Sequence, residues 1–382
     1  MSVLPGLHPG SLTFAANVLK DEAQWYRRGR YALTRAYRLA GLGRDGALLA
    51  PAYHCRTMLD AAVALGAEVR LYPVSADLAP DLSALEDLMS RSGVSAKTLL
   101  LPHYFGFAQK LDEIMRLCTR HGVQLIEDCS HVLVGARKTG IDALRLGSTG
   151  HYGVASPYKF FPAPDGGLLW SNASALPARR PRRPGIAEQV KAVVNALGRP
   201  ARHDMEPTLA GNDHGHVSTV ACTHAAPREW IEDETRPSKL YRVAEEDDDS
   251  LAVSRWIARH TDLERLVALR RAHYCQWLEA TKDLFGCRPL FGSLPDDCVP
   301  YMFPLLIDRP QSDFFTLKSL GVPIWRWDEM AVSDCVTASS YRLRLLHLPC
   351  HQELSANDMA WMIATVVSVC GSPSRDVNAD VD

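Results

Sequence analysis

Over the first 172 residues, short continuous apolar runs alternate with stretches whose apolar positions recur at helical spacing. The runs from Ala47 to Ala50, Val69 to Val74, Thr98 to Leu101 and Val123 to Ile126 read as strands buried on both faces, since apolar residues fill consecutive positions instead of alternate ones. Between them, Thr57 to Leu65, Asp81 to Met89 and Leu111 to Cys118 read as helices, with Gly66 and Gly122 as stops and Asp81 as an N-cap. An earlier helix carries Ala32, Leu33, Ala36, Tyr37 and Leu39 and closes at Gly41 and Gly43. Strands and helices in this alternation predict an α/β fold with a mostly parallel sheet covered on both faces.

The pattern changes after residue 172. Residues 173–250 hold a basic run (ARRPRRPG), an acidic run (EEDDD) and one helix, Ile186 to Leu197, and are expected to be a largely irregular insertion with the basic run as a solvated loop. Leu251 to Leu284 is expected to form one long helix. VPYMFPLLI, with Pro300 and Pro304, reads as an edge-like strand. A helix from Ser312 to Leu320, a strand at VPIWRW, and a strand, loop and closing helix capped by Ser355 and Asp358 complete a smaller C-terminal α+β domain. The expected organisation is an N-terminal arm (1–28), a large domain (29–172), the insertion (173–250), a linking helix with the small domain (251–370) and a tail (371–382).

Composition narrows the field. The chain has 382 residues, 47% of them hydrophobic and 23% charged, with a formal net charge of −2. That balance offers no nucleic-acid surface, and no apolar run reaches the length of about 20 residues needed to span a bilayer. MSVLPGLHPGSLTF lacks the basic and apolar regions of a secretory signal. Ten scattered cysteines without a Cys-x-x-Cys pair read as reduced thiols of a cytoplasmic protein, with no metal site expected.

The candidate chemistry lies between Val123 and Gly167. Asp128 ends a buried strand, and ligands of open α/β sheets bind at the carboxyl ends of strands. Lys159 follows among apolar and aromatic neighbours, with Ser156 three positions ahead and Asp165, Gly166 and Gly167 behind. A lysine desolvated there would have a lowered pKa and could form a Schiff base. Pyridoxal phosphate requires such a lysine, an acid for its pyridine nitrogen and donors for its phosphate. Gly29, before a helix start, adds amides suited to that phosphate.

The segment HYFGFAQKLDEIMRLCTRHGVQLIEDCSH, followed by the lysine and the Gly-Gly turn, resembles the DegT/DnrJ/EryC1/StrS sugar aminotransferases, within the fold-type-I pyridoxal-phosphate enzymes. The resemblance runs from about Gly29 to Trp170 and from about Asp262 to Val369. It implies a fold-type-I sheet sandwiched by helices. It also implies that Lys159 carries pyridoxal 5'-phosphate, that Asp128 pairs with its ring nitrogen, and that His131 stands where the family has a glutamine at the phenolic oxygen. Gly29 keeps the family's Ser-Gly-Thr phosphate segment while Arg30 replaces its threonine. PAYHC matches the segment that lays an aromatic ring on the cofactor; the aligned position is Cys55, which leaves His54 or Tyr53 to stack instead.

The function implied is transfer of an amino group from an amino acid, commonly glutamate in the family, to a nucleotide-linked keto sugar in polysaccharide or secondary-metabolite biosynthesis. The altered positions keep elimination chemistry on another substrate open, and a non-catalytic regulator on the same fold is a further alternative. A homodimer is implied as well, with no nucleic acid or membrane partner.

Overall fold

The computed structural model describes residues 3–7, 9–14, 22–137, 140–143, 146–198 and 236–371; the expected tail beyond residue 371 and the stretch 199–235 of the insertion lie outside them. The first half runs β1 (Gln24–Tyr26), α1 (Gly29–Leu39), β2 (Ala47–Pro51), α2 (Arg56–Ala64), β3 (Glu68–Tyr72), α3 (Leu82–Ser90), β4 (Ala96–Pro102), α4 (Asp112–His121) and β5 (Gln124–Asp128). A hairpin of β6 (Val134–Arg137) and β7 (Gly140–Ala143) precedes β8 (Tyr152–Ala155), β9 (Gly167–Ser171) and α5 (Ile186–Gly198). The second half holds α6 (Ala252–His260), α7 (Leu263–Thr281), β10 (Cys287–Pro289), β11 (Met302–Ile307), α8 (Ser312–Ser319), α9 (Val336–Arg344), β12 (Leu345–Pro349) and α10 (Ala356–Cys370).

Seven strands form one sheet in the order β1-β9-β8-β5-β4-β2-β3. β8, β5, β4, β2 and β3 are mutually parallel, while β9 runs against both β8 and β1. Leu48, Leu49, Leu99, Leu100, Leu125 and Ile126 have no exposed surface, which is why these strands read as unbroken apolar runs. Local signals agree with the elements. The Asp81 carboxylate accepts the Ala84 N–H at 3.0 Å to cap α3, and Gly122 ends α4 at φ 66°, where a residue with a Cβ is strained.

The topology brings four chain segments to one edge of the sheet. β5 and β8 are parallel, so Asp128 and the turn after Ala155 emerge together. β1 is antiparallel to β9, which is antiparallel to β8, so the start of α1 arrives at that same edge. The loop after β2, carrying Tyr53 to Cys55, does too.

Five expectations need correction. The end of the N-terminal arm is the edge strand β1, paired with Gly167 to Leu169. The helix expected over Leu251 to Leu284 is two helices, because Thr261 is extended and Asp262 caps α7 by accepting the Arg265 N–H at 3.0 Å. β11 is the middle strand of a three-stranded sheet, β10-β11-β12, and not an edge. Pro304 is tolerated there because β10 ends at Pro289. The Pro304 carbonyl accepts the Leu290 N–H beyond that end, so the side lacking a donor meets no paired strand. VPIWRW makes only a single bridge, Trp325 to His347, and the intervening chain forms α9, which the apolar pattern did not announce. The basic run is a solvated loop only in part: Arg180, Arg182 and Arg183 are exposed, but Arg179 lies 4.1 Å over the Tyr26 ring and pairs with Asp249 at 3.1 Å, and Arg182 is bridged to Asp248, so the basic and acidic runs meet beside β1.

Candidate active site

At the shared edge lies a cavity lined among others by Gly29, Arg30, Cys55, Asp128, Ser130, Ser156 and Lys159. Asp128 is 5% exposed, and the Ser130 N–H donates to its Oδ1 at 2.9 Å. Its second oxygen has no donor among the described residues, and the residue lines the cavity. The Ser130 hydroxyl donates to Ser156 Oγ at 3.2 Å, and Ser156 in turn sits against Gly29, where a Cβ would lie 2.2 Å from Ser156 Oγ. Gly29 is therefore the residue that lets the serine hydroxyl close on the first turn of α1. The result is a continuous polar line from Asp128 through Ser130 and Ser156 to the helix start.

Lys159 ends a short 3-10 turn, Pro157–Lys159, and is half-buried. Its Nζ is 3.1 Å from His131 Nε2 and 5.5 Å from the centre of the Tyr301 ring, on which His131 stacks at 4.2 Å. The Phe105 N–H points at His131 Nδ1 at 3.4 Å, which makes Nδ1 the acceptor, so that Nε2–H can donate to Lys159 Nζ only when that amine is uncharged. Burial, then the Lys159 charge and His347, hold the His131 pKa well below its ordinary value, so the ring is neutral at pH 7.

A second histidine is set the same way. The Trp325 indole donates to His347 Nδ1 at 2.7 Å, leaving Nε2 to donate to the Tyr53 hydroxyl at 2.8 Å, and burial lowers the His347 pKa to about 3.

Arg270 braces the lysine from below. It is fully buried on α7 and gives its N–H groups to the carbonyls of Lys159 (3.1 Å), Phe160 (3.4 Å), Pro300 (3.1 Å) and Tyr301 (3.0 Å) and to Gln352 Oε1 (2.8 Å). A guanidinium saturated by neutral oxygens can be retained without a carboxylate partner. Burial lowers its pKa, but only to about 10, so it remains charged.

The expected site residues divide accordingly. Lys159, Asp128, Ser156, Gly29, Arg30 and Cys55 line the one cavity, and His131 reaches it through Lys159. His54 does not. Its Nδ1 donates toward the Pro51 and Ala52 carbonyls at 3.0 and 3.1 Å, and its Nε2 accepts the Ala331 N–H at 3.1 Å. Burial lowers its pKa to about 4, so it serves as a neutral strut between the β2 loop and the C-terminal part. Tyr53 is packed on Trp327 at 4.9 Å and absent from the cavity lining, so neither alternative ring faces the cavity; Cys55 does, bonded to the Thr57 hydroxyl at 2.8 Å.

Sequence reading missed Arg28, Ser130, Thr57, Tyr158, Tyr301 and Arg270. The first two adjoin residues already singled out, whereas a tyrosine between two prolines and one arginine in a helix carry no signal of their own.

His103, Glu127 and Cys129 also cluster, with ligand atoms within 4.8 Å, but this is not an open metal centre. His103 Nδ1 accepts the Gln109 N–H at 3.0 Å, so its Nε2–H donates to Glu127 at 3.1 Å. Glu127 also accepts the amides of Gly147, Thr149 and Gly150. Burial pushes the Glu127 carboxyl up, and these donors more than offset it, so its pKa lies below the ordinary value. The group pins the loop behind β5.

The chain is similar to GDP-perosamine synthase of Vibrio cholerae, 24% identical over 170 residues that make up 43% of each chain. It is also similar to dTDP-3-amino-3,4,6-trideoxy-alpha-D-glucose transaminase of Streptomyces venezuelae, 26% identical over 193 residues, 50% of this chain and 47% of that one. The matches thus span under half the length of these relatives. In fold, the chain is similar to the aminotransferase TlmJ of Streptoalloteichus hindustanus, with a TM-score of 0.62 at 19% identity over 92% of this chain and 86% of that one. Residues 14–199, which contain the cavity's lysine, carboxylate, serines and glycine, match the model of the DegT/DnrJ/EryC1/StrS aminotransferase family.

Proposed function

We propose that this chain is a pyridoxal-phosphate-dependent aminotransferase that moves an amino group from an amino acid to a nucleotide-linked keto sugar. One observation carries the reading: Lys159 and an Asp128 oxygen without a donor among the described residues share one cavity, with Ser130, Ser156 and Gly29 continuing its polar wall. The residues fit the cofactor. Lys159 would hold it covalently, Asp128 would accept from the protonated ring nitrogen, and Ser156 with the α1 amides would take the phosphate. When bound, pyridoxal phosphate supplies an electron sink for negative charge at the substrate carbon.

The chain's own residues would do the rest. Ser130 occupies only one Asp128 oxygen, which leaves the other for the cofactor's ring nitrogen. His131 Nε2 holds Lys159 Nζ at the reaction face, and Lys159 Nζ takes and returns the proton as general base and acid. The stacked Tyr301 ring excludes water from one side of that nitrogen. The sugar substrate is supported by the names of the two relatives and by the family.

Purified protein incubated with the cofactor, glutamate and candidate keto sugar nucleotides should give amino sugar nucleotides by mass spectrometry. Lys159→Ala should lose both product and the visible absorption of the lysine-bound cofactor. Products of elimination instead of amination would replace the reaction assignment, and normal turnover by Lys159→Ala would refute the site. We further propose a cytoplasmic homodimer, the commonest closed assembly. Nine described cysteines are free thiols, and no described helix is long and apolar enough to cross a membrane. Light scattering across a dilution series tests the dimer, which an active monomer would refute.

A further inference from the structure

We infer that Arg28 supplies the cationic grip on the phosphate of the cofactor in this chain, an assignment that rests on the cofactor reading above. Neither the apolar pattern nor the resemblance singles this residue out.

The first observation is charge. The cavity is lined by three cations, Arg28, Arg30 and Lys159, against a single carboxylate, Asp128. With Lys159 given to the covalent bond and Asp128 to the ring nitrogen, as that reading has it, Arg28 remains as a cation for the phosphate, and a phosphate monoester near neutral pH carries about −1.5 to −2.

The second is what the Arg28 side chain does. Arg28 precedes α1 in an extended conformation (φ −142°, ψ 155°), and its side chain makes no capping bond. The guanidinium instead lies 5.4 Å from the centre of the Tyr158 ring and donates one N–H to the Pro164 carbonyl at 3.3 Å. No carboxylate among the described residues lies within ion-pair distance of it. Burial raises the Asp165 pKa and the nearby Arg28 charge offsets only part of that rise, while the carboxyl oxygens accept from the Ser250 hydroxyl and the Leu251 N–H. Arg28 thus lines the cavity with its guanidinium against an aromatic face and one carbonyl, and its remaining N–H groups have no anionic partner among the described residues. A planar fork of donors in that condition is built to receive an oxyanion through two parallel bonds.

The third is place. Arg28 adjoins Gly29, whose missing Cβ admits Ser156 Oγ, so Arg28, the Ser156 hydroxyl and the first turn of α1 belong to the same cavity lining. Arg30 lines the same cavity but gives an N–H to the Leu240 carbonyl, which turns part of its fork away toward the 236–250 segment.

The test separates phosphate recognition from ring recognition. Protein freed of cofactor is titrated with pyridoxal phosphate, with unphosphorylated pyridoxal and with inorganic phosphate, by calorimetry and by quenching of tryptophan fluorescence. Arg28→Gln should weaken pyridoxal phosphate at least tenfold, leave pyridoxal within twofold, and abolish competition by inorganic phosphate. Arg28→Lys, which keeps a point charge but not the fork, should fall between. If Arg28→Gln binds pyridoxal phosphate as wild type does, or loses pyridoxal equally, the assignment is overturned while the cofactor reading stands. Should Arg28→Gln not fold, Arg28→Lys decides on the same affinity ratio, an unchanged ratio overturning the assignment. Wild-type protein that binds no pyridoxal phosphate overturns the cofactor reading and this assignment with it.

Discussion

Replacing Arg270 with leucine should destabilise the protein severely, although no carboxylate is left behind. In the wild type, five oxygens share the guanidinium. After the change, Phe160 O keeps the Gln352 side-chain N–H at 3.0 Å, and Pro300 O keeps a weak Cys350 thiol contact at 3.8 Å. Lys159 O, Tyr301 O and Gln352 Oε1 are left with no other side-chain donor among the described residues. A buried acceptor deprived of its donor costs about 1–3 kcal/mol, so three of them cost roughly 3–9 kcal/mol before the gain from no longer burying a charge. A net loss of at least about 3 kcal/mol is expected, a large share of the roughly 5–15 kcal/mol that holds an ordinary domain. Arg270→Lys offers three donors and should lose about half as much. Urea unfolding followed by tryptophan fluorescence reports the difference, provided the slope with denaturant is unchanged. An Arg270→Leu midpoint within about 0.5 kcal/mol of wild type would show that water or a side-chain shift satisfies those carbonyls. The brace between α7 and the Lys159 turn would then carry no energy.

The remaining predictions concern titration, packing and the cavity carboxylate. His54 and His347 have folded pKa values depressed to about 4 and about 3, so the unfolded chain binds their protons first. Their contribution is full above about pH 6.5 and is lost as pH falls toward those values, at about 1.4 kcal/mol per pH unit per histidine. Stability that stays flat from pH 7 to 5 in urea titrations would contradict the buried neutral histidines. Gly153→Ala would set a Cβ 2.2 Å from the Trp170 ring, which is held by its indole bond to Gly147 O at 2.7 Å. A loss of about 1–3 kcal/mol or more is expected in the same unfolding assay, and a neutral result would mean Trp170 can shift. Asp128→Asn should keep the cofactor bound by absorption but lower turnover more than tenfold. One charge-assisted hydrogen bond is worth about 1.5–3 kcal/mol, and the carboxylate acts on the reacting state. Near wild-type rates would mean that another acid serves the ring.

The sequence alone determined the parallel sheet, the Asp128 strand end, the caps at Asp81 and Ser355, and the lysine with its serine and glycines. These are local facts: continuous apolar runs, a side chain two or three residues from the amide it caps, and a motif within one stretch of chain. Only the tertiary structure decided which groups meet. His54 was in the expected segment, yet its two nitrogens are spent on Pro51, Ala52 and Ala331, the last 277 residues away. Tyr301 and Arg270 come from the C-terminal half and touch Lys159 only because β11 and α7 fold back against the large sheet. The break at Thr261 escaped the apolar period because Ile257 and Leu266 on either side are both buried. The meeting of the basic and acidic runs was invisible for the same physical reason. Charge attraction and hydrogen bonding act through space, and spacing along a chain reports only the partners that lie within a turn or a strand of one another.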